Sequence, residues 1–382
     1  MDLDAFAWLL TDDGQRVLAA AVDLGDALER DPLAAHESLR RAWPTARPEQ
    51  LAVALNQASL RRTAAAKFGE LAPRMYFTPE GLEQATRLSV ARHRAARVRA
   101  FGAASVIDLG CGIGGDLIAL AETGATTAGI DLDPERVAIA EANLAACGLG
   151  GAVQVADATA VDHSGFDVAF VDPARRSARG RSFHTDQWSP PWSFVESLLT
   201  RDSCVKTAPG LPHKLIPAGV EAEWVSDRGE VKEAALWSGS LATTARRATV
   251  IGAGGLATLT DEDDPGAPVR PVGAFLYEPD GAVIRAGLVT AVAAGVDGGL
   301  IDEHLAYVTG DASFHTPFAR SYQVLEELPY REKALRAALR ERGVGRLTIK
   351  KRGVDVVPEQ LRKRLALTGD NEATIVMTRV AG

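Results

Sequence analysis

Four glycines within six residues, in the run Asp108-Leu109-Gly110-Cys111-Gly112-Ile113-Gly114-Gly115-Asp116, constrain this chain more than any other segment. The run follows an apolar stretch (Ala104 to Ile107) and opens an amphipathic one that continues through Ala121. That pattern is strand, glycine turn, helix. Glycines adopt positive φ without a Cβ clash and let backbone pass close to a ligand. The helix start that follows offers N–H groups with no intrahelical acceptor. A bare G-x-G-x-G is shared by dinucleotide and nucleoside sites, so its neighbours decide which it is.

The first neighbour is Ala128-Gly129-Ile130-Asp131, a short apolar strand ending in a carboxylate. Its distance from the glycines is the one doubly wound sheets use to bring an acid to a ribose diol. The next are Val153-Gln154-Val155-Ala156-Asp157-Ala158 and Val168-Ala169-Phe170-Val171-Asp172-Pro173. Four strand-end signals at regular intervals describe a nucleoside-binding α/β half. A dinucleotide fold accounts for Asp131 but requires neither Asp157 nor the Asp172-Pro173 pair. Charge discriminates further: a carboxylate leading the glycines opposes a pyrophosphate at a helix start, whereas it suits a sulfonium ligand that also carries an ammonium group.

With Asp108 leading the glycines, the chain from about 75 to 250 resembles class I S-adenosylmethionine-dependent methyltransferases. The resemblance implies a Rossmann-like α/β sheet and S-adenosyl-L-methionine as cofactor. It places Asp108 at the methionine ammonium and Gly110, Gly112 and Gly114 in the turn. Asp131 would accept the ribose hydroxyls and Asp157 the adenine N6 amino group, each an acceptor-only carboxylate facing donors. The segment Arg74-Met75-Tyr76-Phe77-Thr78-Pro79-Glu80-Gly81 is similar to the one preceding the glycine motif in trimethylguanosine synthases and related RNA methyltransferases, where it walls the cofactor pocket. That puts Phe77 and Thr78 among the cofactor-binding candidates. Independently, Thr78, Pro79 and Glu80 have the chemistry of a helix N-cap, first helical position and first turn.

Asp172-Pro173-Ala174-Arg175 occupies the place where amino-methylating relatives carry Asp/Asn-Pro-Pro-aromatic. In those enzymes the acid or amide binds an exocyclic amine and the aromatic stacks on the base. Here Ala174 and Arg175 depart from the pattern, so any stacking platform is a guanidinium plane. Asp172, Pro173 and Arg175 are the catalytic candidates. Asp-Pro-Pro-Arg also occurs in the uridine C5 family, which needs a cysteine nucleophile; Cys204 lies in an apolar strand pattern and reads as core. Arg176, Arg179 and Arg181 follow the motif as candidates for phosphate contact, while His184, alone near Trp188, reads as structural.

The formal charge is -8, yet residues 330–364 hold twelve Lys/Arg against four acids, which leaves -16 for the rest. An acidic body with a basic C-terminal module points to an anionic partner. Helix signals at Tyr330–Gly343 and Pro358–Leu367 alternate with strand signals at Arg346–Lys350 and Ala373–Arg379. Leu347-Thr348-Ile349-Lys350-Lys351-Arg352-Gly353 and Gly369-Asp370-Asn371-Glu372-Ala373 resemble the THUMP-like domain that trails a bacterial methyltransferase family. THUMP domains proper deliver RNA, which makes Lys350, Lys351 and Arg352 substrate-binding candidates.

The expected organisation is a helical N-terminal region (1–72), a methyltransferase domain (73–260) and a C-terminal region (266–382) whose THUMP-like part begins near 310. The acidic stretch Thr260 to Gly266 marks the boundary. The three cysteines have no paired or metal-ligand spacing, so no metal is expected. No apolar run approaches a membrane span, and the acidic N-terminus does not read as a signal peptide, so the expected location is cytoplasmic. Structured RNA, ribosomal or transfer, is the expected substrate, methylated on a base amine. The alternatives are a methyltransferase acting on a protein or small molecule, and a non-catalytic RNA-binding or assembly protein with a degenerate methyltransferase fold.

Overall fold

A computed structural model describes residues 2–175, 188–328 and 330–379, with the backbone alone for Arg175. Arg176, Arg179, Arg181 and His184 lie outside the described residues. The chain divides into two compact units: 1–221 with 234–243, and 222–233 with 244–382. The acidic stretch Thr260 to Gly266 lies inside the second of these.

The first unit begins with helices α1 (Leu3–Leu9), α2 (Asp12–Asp23), α3 (Ala27–Arg30), α4 (Pro32–Ala42) and α5 (Pro48–Phe68). Their starts are chemically specified: Asp2, Thr11 and Asp31 cap α1, α2 and α4 through side-chain oxygens, and proline opens α4 and α5. Helices α6 (Pro79–Gln84) and α7 (Leu88–Phe101) lead into β1 (Ser105–Leu109), followed by α8 (Gly115–Ala121), β2 (Thr126–Asp131), α9 (Pro134–Ala146), β3 (Ala152–Val155) and β4 (Val168–Val171). A short antiparallel pair, β5 (Ala174–Arg175) with β6 (Trp188–Ser189), precedes α10 (Trp192–Leu198) and β7 (Ser203–Thr207).

Strands β3, β2, β1, β4 and β7 lie side by side in that order, all parallel, and residues 234–238 add an antiparallel strand beyond β7. From β1 the chain steps to β2 and β3, then crosses back to β4 on the other side of β1. That reversal makes the carboxyl ends of β1 and β4 the topological switch point, where doubly wound sheets bind ligands. One core layer joins Leu9, Leu18, Leu51, Phe68 and Phe77 of the helical region to Leu117, Ile118, Ile139 and Leu144 of α8 and α9. Another packs Ala91, Ala95 and Val98 of α7 against Val106, Phe170, Cys204 and Trp237 of the strands. Continuously apolar strands such as β4, buried at every position, are what a sheet covered on both faces requires.

The second unit holds β8 (Glu221–Asp227, from Ala222 on), the start of β9 (Glu230–Ser238), β10 (Arg246–Gly252) and β11 (Gly255–Thr260); β10 is parallel to β8 and antiparallel to β11. Next comes a four-stranded sheet in the order β13-β14-β12-β15, formed by β12 (Phe275–Pro279), β13 (Gly299–Leu300), β14 (Val308–Gly310) and β15 (Ala319–Gln323). Helices α11 (Gly281–Ala286) and α12 (Val289–Gly295) fall between β12 and β13. The final module is α13 (Glu332–Glu341), β16 (Val344–Lys351), α14 (Pro358–Leu365) and β17 (Asn371–Met377), with β16 and β17 parallel. The helix and strand alternation expected there is present; α14 starts at Pro358 as expected, and the other ends are shifted by one or two residues.

Candidate active site

The β1–α8 turn is built as its glycines demand. Gly110, Gly112 and Gly114 hold φ of 121°, 54° and 81°, where a side chain is strained. The turn is tied to β2: the Gly110 and Cys111 N–H groups donate to the Ile130 carbonyl, and the Gly112 N–H donates to Asp131 Oδ2 at 3.0 Å. Asp131 Oδ1 accepts the Asp133 N–H at 3.0 Å. Asp131 thus has a fixed orientation at the carboxyl end of β2, and each oxygen keeps a lone pair for a further donor. Leu132, which follows it, is 59% exposed. An exposed leucine beside a fixed carboxylate pairs an apolar surface with an acceptor, and nothing in the sequence pattern singled it out.

Asp157 follows β3, brought beside Asp131 by the Ala156 N–H donating to the Asp131 carbonyl. Its Oδ1 accepts the backbone N–H and hydroxyl of Thr159, at 2.9 and 2.8 Å. Those bonds hold its carboxyl below the usual carboxylate range. Asp157 is exposed and stays an acceptor.

Asp108 differs from the others. It is the penultimate residue of β1, with 1% exposure, and its Oδ1 has no hydrogen-bond partner among the described residues. Burial raises its carboxyl well above the ordinary range; Asp116 and Asp172 push the same way, then Asp131, while Arg94 opposes. Asp108 pairs with Gly129 of β2 and Phe170 of β4, and Asp131 and Asp172 each follow two residues later toward the carboxyl ends of those strands. Arg94 (α7) is buried against the Phe170 ring, 4.5 Å from its centroid, and ion-paired with Asp116. The second Asp116 oxygen takes the Thr86 hydroxyl at 2.8 Å. Asp116 is therefore committed to structure, whereas Asp108 offers a buried oxygen with nothing to accept from.

An unpaired buried acceptor is costly; a ligand donor would satisfy it, and a cationic one would also favour the ionised carboxylate. S-adenosyl-L-methionine carries an ammonium and a sulfonium, and the residues present fit it: Asp108 for the ammonium, the glycine turn for close backbone approach, Asp131 and Asp157 for hydroxyl and amino donors. No group of three or more potential metal ligands occurs among the described residues.

Asp172 and Pro173 sit just beyond the end of β4. Asp172 Oδ2 is ion-paired with Lys206 Nζ from β7. Lys206 went unassigned in the sequence, although a lysine inside Ser203-Cys204-Val205-Lys206-Thr207 is the kind of charge an apolar strand carries only with a partner. Arg175 is described by its backbone alone, paired to Trp188 across β5 and β6. Cys204 is fully buried in the core, and burial pushes the Cys111 thiol up, so neither resembles an activated nucleophile.

The 74–81 segment packs onto the turn. Thr78 accepts the Gly81 N–H as the cap of α6, and a Cβ at Gly81 would come within 2.5 Å of Ile113 Cγ2. The Phe77 ring is buried against Phe68, and its backbone exchanges two hydrogen bonds with Gln57. Buried Asn143 of α9 fastens both pieces: it accepts the Tyr76 N–H at 2.6 Å and donates to the Tyr76 and Ile113 carbonyls at 3.0 and 2.8 Å. An asparagine on the apolar face of α9, between Ala140 and Leu144, was the available signal for this clamp.

In the second unit, Lys350 and Arg352 turn inward. The Lys350 ammonium lies 2.9 Å from Glu278 and the Arg352 guanidinium 3.8 Å from it, and Arg352 also covers the Tyr307 ring. Lys351 is exposed. These three candidates are therefore not equivalent: two of them hold a carboxylate of the neighbouring sheet.

Residues 106–175 match a methyltransferase domain model, 319–382 a THUMP domain-like model, and 2–64 a domain of unknown function. Two uncharacterized S-adenosylmethionine-dependent methyltransferases of Mycobacterium tuberculosis, strains CDC 1551 / Oshkosh and ATCC 25618 / H37Rv, are each 40% identical over 334 residues, covering 84% of this chain and 90% of theirs. The crystal structure of a Porphyromonas gingivalis W83 protein assigned to the methyltransferases shares the fold with a TM-score of 0.71 at 22% identity, over 88% of this chain and 89% of that one.

Proposed function

We propose that this chain, which belongs to the S-adenosylmethionine-dependent methyltransferases, methylates an exocyclic base amine in structured RNA, ribosomal or transfer. The observation that carries the reading is Asp172-Pro173 just beyond the carboxyl end of β4, the strand paired with β1 where buried Asp108 lies opposite Phe170. The basic C-terminal module and its match to a THUMP domain-like model favour RNA as the carrier of that amine.

When bound, S-adenosyl-L-methionine supplies an electrophilic methyl group, so the protein has to hold, align and exclude rather than activate. Asp108 holds the ammonium, with Gly110, Gly112 and Gly114 letting the backbone close on the cofactor. Asp131 holds the ribose hydroxyls and Asp157 the adenine amino group, with Leu132 against the adenine face. Phe77 and Thr78 set the position of the wall that Asn143 clamps. Asp172 accepts from the substrate amine and directs its lone pair, Pro173 fixes the backbone there, and Arg175 covers the base. The amine proton leaves to water, so no strong base is needed. Arg176, Arg179, Arg181 and Lys351 are the phosphate contacts of the proposal; Lys350 and Arg352 contribute less, being engaged by Glu278.

The test is binding of folded ribosomal or transfer RNA to the whole chain across a salt series. Counterion release predicts a log–log slope of roughly -0.9 per duplex phosphate contacted. A slope near zero moves the substrate to a protein or small molecule.

A further inference from the structure

We propose that Lys206 is the positioning residue for Asp172: it holds one carboxylate oxygen so that the other faces the reacting nitrogen. The proposal deepens the base-amine reading and rests on it for the identity of the acceptor.

The acids of the site are not held alike. Asp131 is fixed by two backbone N–H groups, and Asp116 by Thr86 and Arg94. Asp172 has one partner among the described residues, the Lys206 ammonium on Oδ2, and its side chain is 36% exposed. Without that partner its side chain would sit just beyond a strand end with nothing among the described residues to fix its rotamer.

Lys206 is placed to prevent this. β4 and β7 are parallel with Val171 opposite Val205, so Asp172 and Lys206 are the next residues of the two strands at the same end of the sheet. On its other side Lys206 pairs with Ala235, which gives its backbone a neighbour on both edges. Its side chain is only 14% exposed, so the ammonium approaches Asp172 from within the fold.

An ammonium donates and never accepts. Bonded to Oδ2, it leaves Oδ1 as the oxygen that accepts from the substrate. Such a group favours a nucleophile that bears a hydrogen-bond donor, an amine in the base-amine reading, over a carbonyl oxygen or a ring carbon. In the transfer, the N–C bond forms as the C–S bond breaks with its electron pair on sulfur. The nitrogen then gives its proton to water.

The experiment uses the full chain, S-adenosylmethionine with a tritiated methyl group, and the RNA, protein and small-molecule fractions of a strain lacking the gene. The fraction that takes up label serves as acceptor for Lys206→Met, Lys206→Arg, Asp172→Asn and the double variant Asp172→Asn/Lys206→Met. Lys206→Met should lower kcat by up to about 100-fold, the scale set by a misplaced reacting group, with cofactor affinity unchanged. Lys206→Arg should recover most of that loss, and the double variant should be no slower than Asp172→Asn alone. Full kcat in Lys206→Met, no rescue by arginine, or multiplied losses in the double variant would each overturn the role of Lys206. Label in the protein or small-molecule fraction sinks the RNA reading while the variant series still judges Lys206. Label in none of the fractions counts against both.

Discussion

Replacing Asp108 with asparagine keeps the shape of the site and removes a buried carboxyl whose Oδ1 has no hydrogen-bond partner among the described residues. The lost interaction is a hydrogen bond between the cofactor ammonium and a buried ionised oxygen, worth about 1.5–3 kcal/mol. Affinity for S-adenosylmethionine should therefore fall by about 10- to 150-fold, read by calorimetric titration. The pH dependence follows from the same carboxyl. Burial raises it in the free protein, and a bound cation must lower it, so cofactor binding should release a proton and weaken as pH falls through the raised value. Titrations in buffers of different ionisation enthalpy would show that release, and Asp108→Asn should abolish it. Stability runs the opposite way. A carboxyl raised on folding contributes stability that is present below the ordinary carboxylate range and lost as pH rises through the raised value. The cofactor-free Asp108→Asn variant should accordingly melt higher than the natural chain near neutral pH, with the gap closing in acid. Unchanged affinity together with unchanged proton release would refute the assignment of Asp108 to the ammonium.

Other parts of the account make separate predictions. Asp131→Ala should weaken cofactor binding by about 1.5–3 kcal/mol and also free the Gly112 N–H, whereas Asp172→Ala should leave cofactor binding intact and lower turnover. Calorimetry paired with initial rates separates the two, and full turnover in Asp172→Ala would contradict its role. Asn143→Leu strands the Tyr76 N–H and the Tyr76 and Ile113 carbonyls, at about 1–3 kcal/mol for each buried group. A lower urea midpoint at unchanged m-value is the expected readout. Cys204→Ala should keep turnover, since the thiol is core; loss of turnover without loss of fold would favour a cysteine-nucleophile mechanism instead.

What the sequence reveals here is what local chemistry encodes. The glycine turn, the strand-end acids Asp131, Asp157 and Asp172, and the cap at Thr78 each rest on neighbours within a few residues, and each is visible as a pattern. Lys206, Asn143 and Leu132 are different. Their significance comes from what the sheet places opposite them: Lys206 matters because β7 lies beside β4, which is a fact of strand order. The basic stretch shows the same limit from the other side. Charge counting treats Lys350 and Arg352 as free, while folding sets both against Glu278 from a strand some seventy residues earlier. Asp108 was readable as an acid at the right place, but its orphaned oxygen emerges only once β2, β4 and α7 surround it.

The most direct test of the central claim is the product itself. RNA from a strain lacking the gene would be incubated with the full chain and S-adenosylmethionine carrying a tritiated methyl group, then digested to nucleosides and separated. The account predicts label on one nucleoside, at an exocyclic amine, and its absence with Asp172→Ala. Label on a ring carbon or a ribose hydroxyl, or none in RNA while another fraction takes it up, would contradict it.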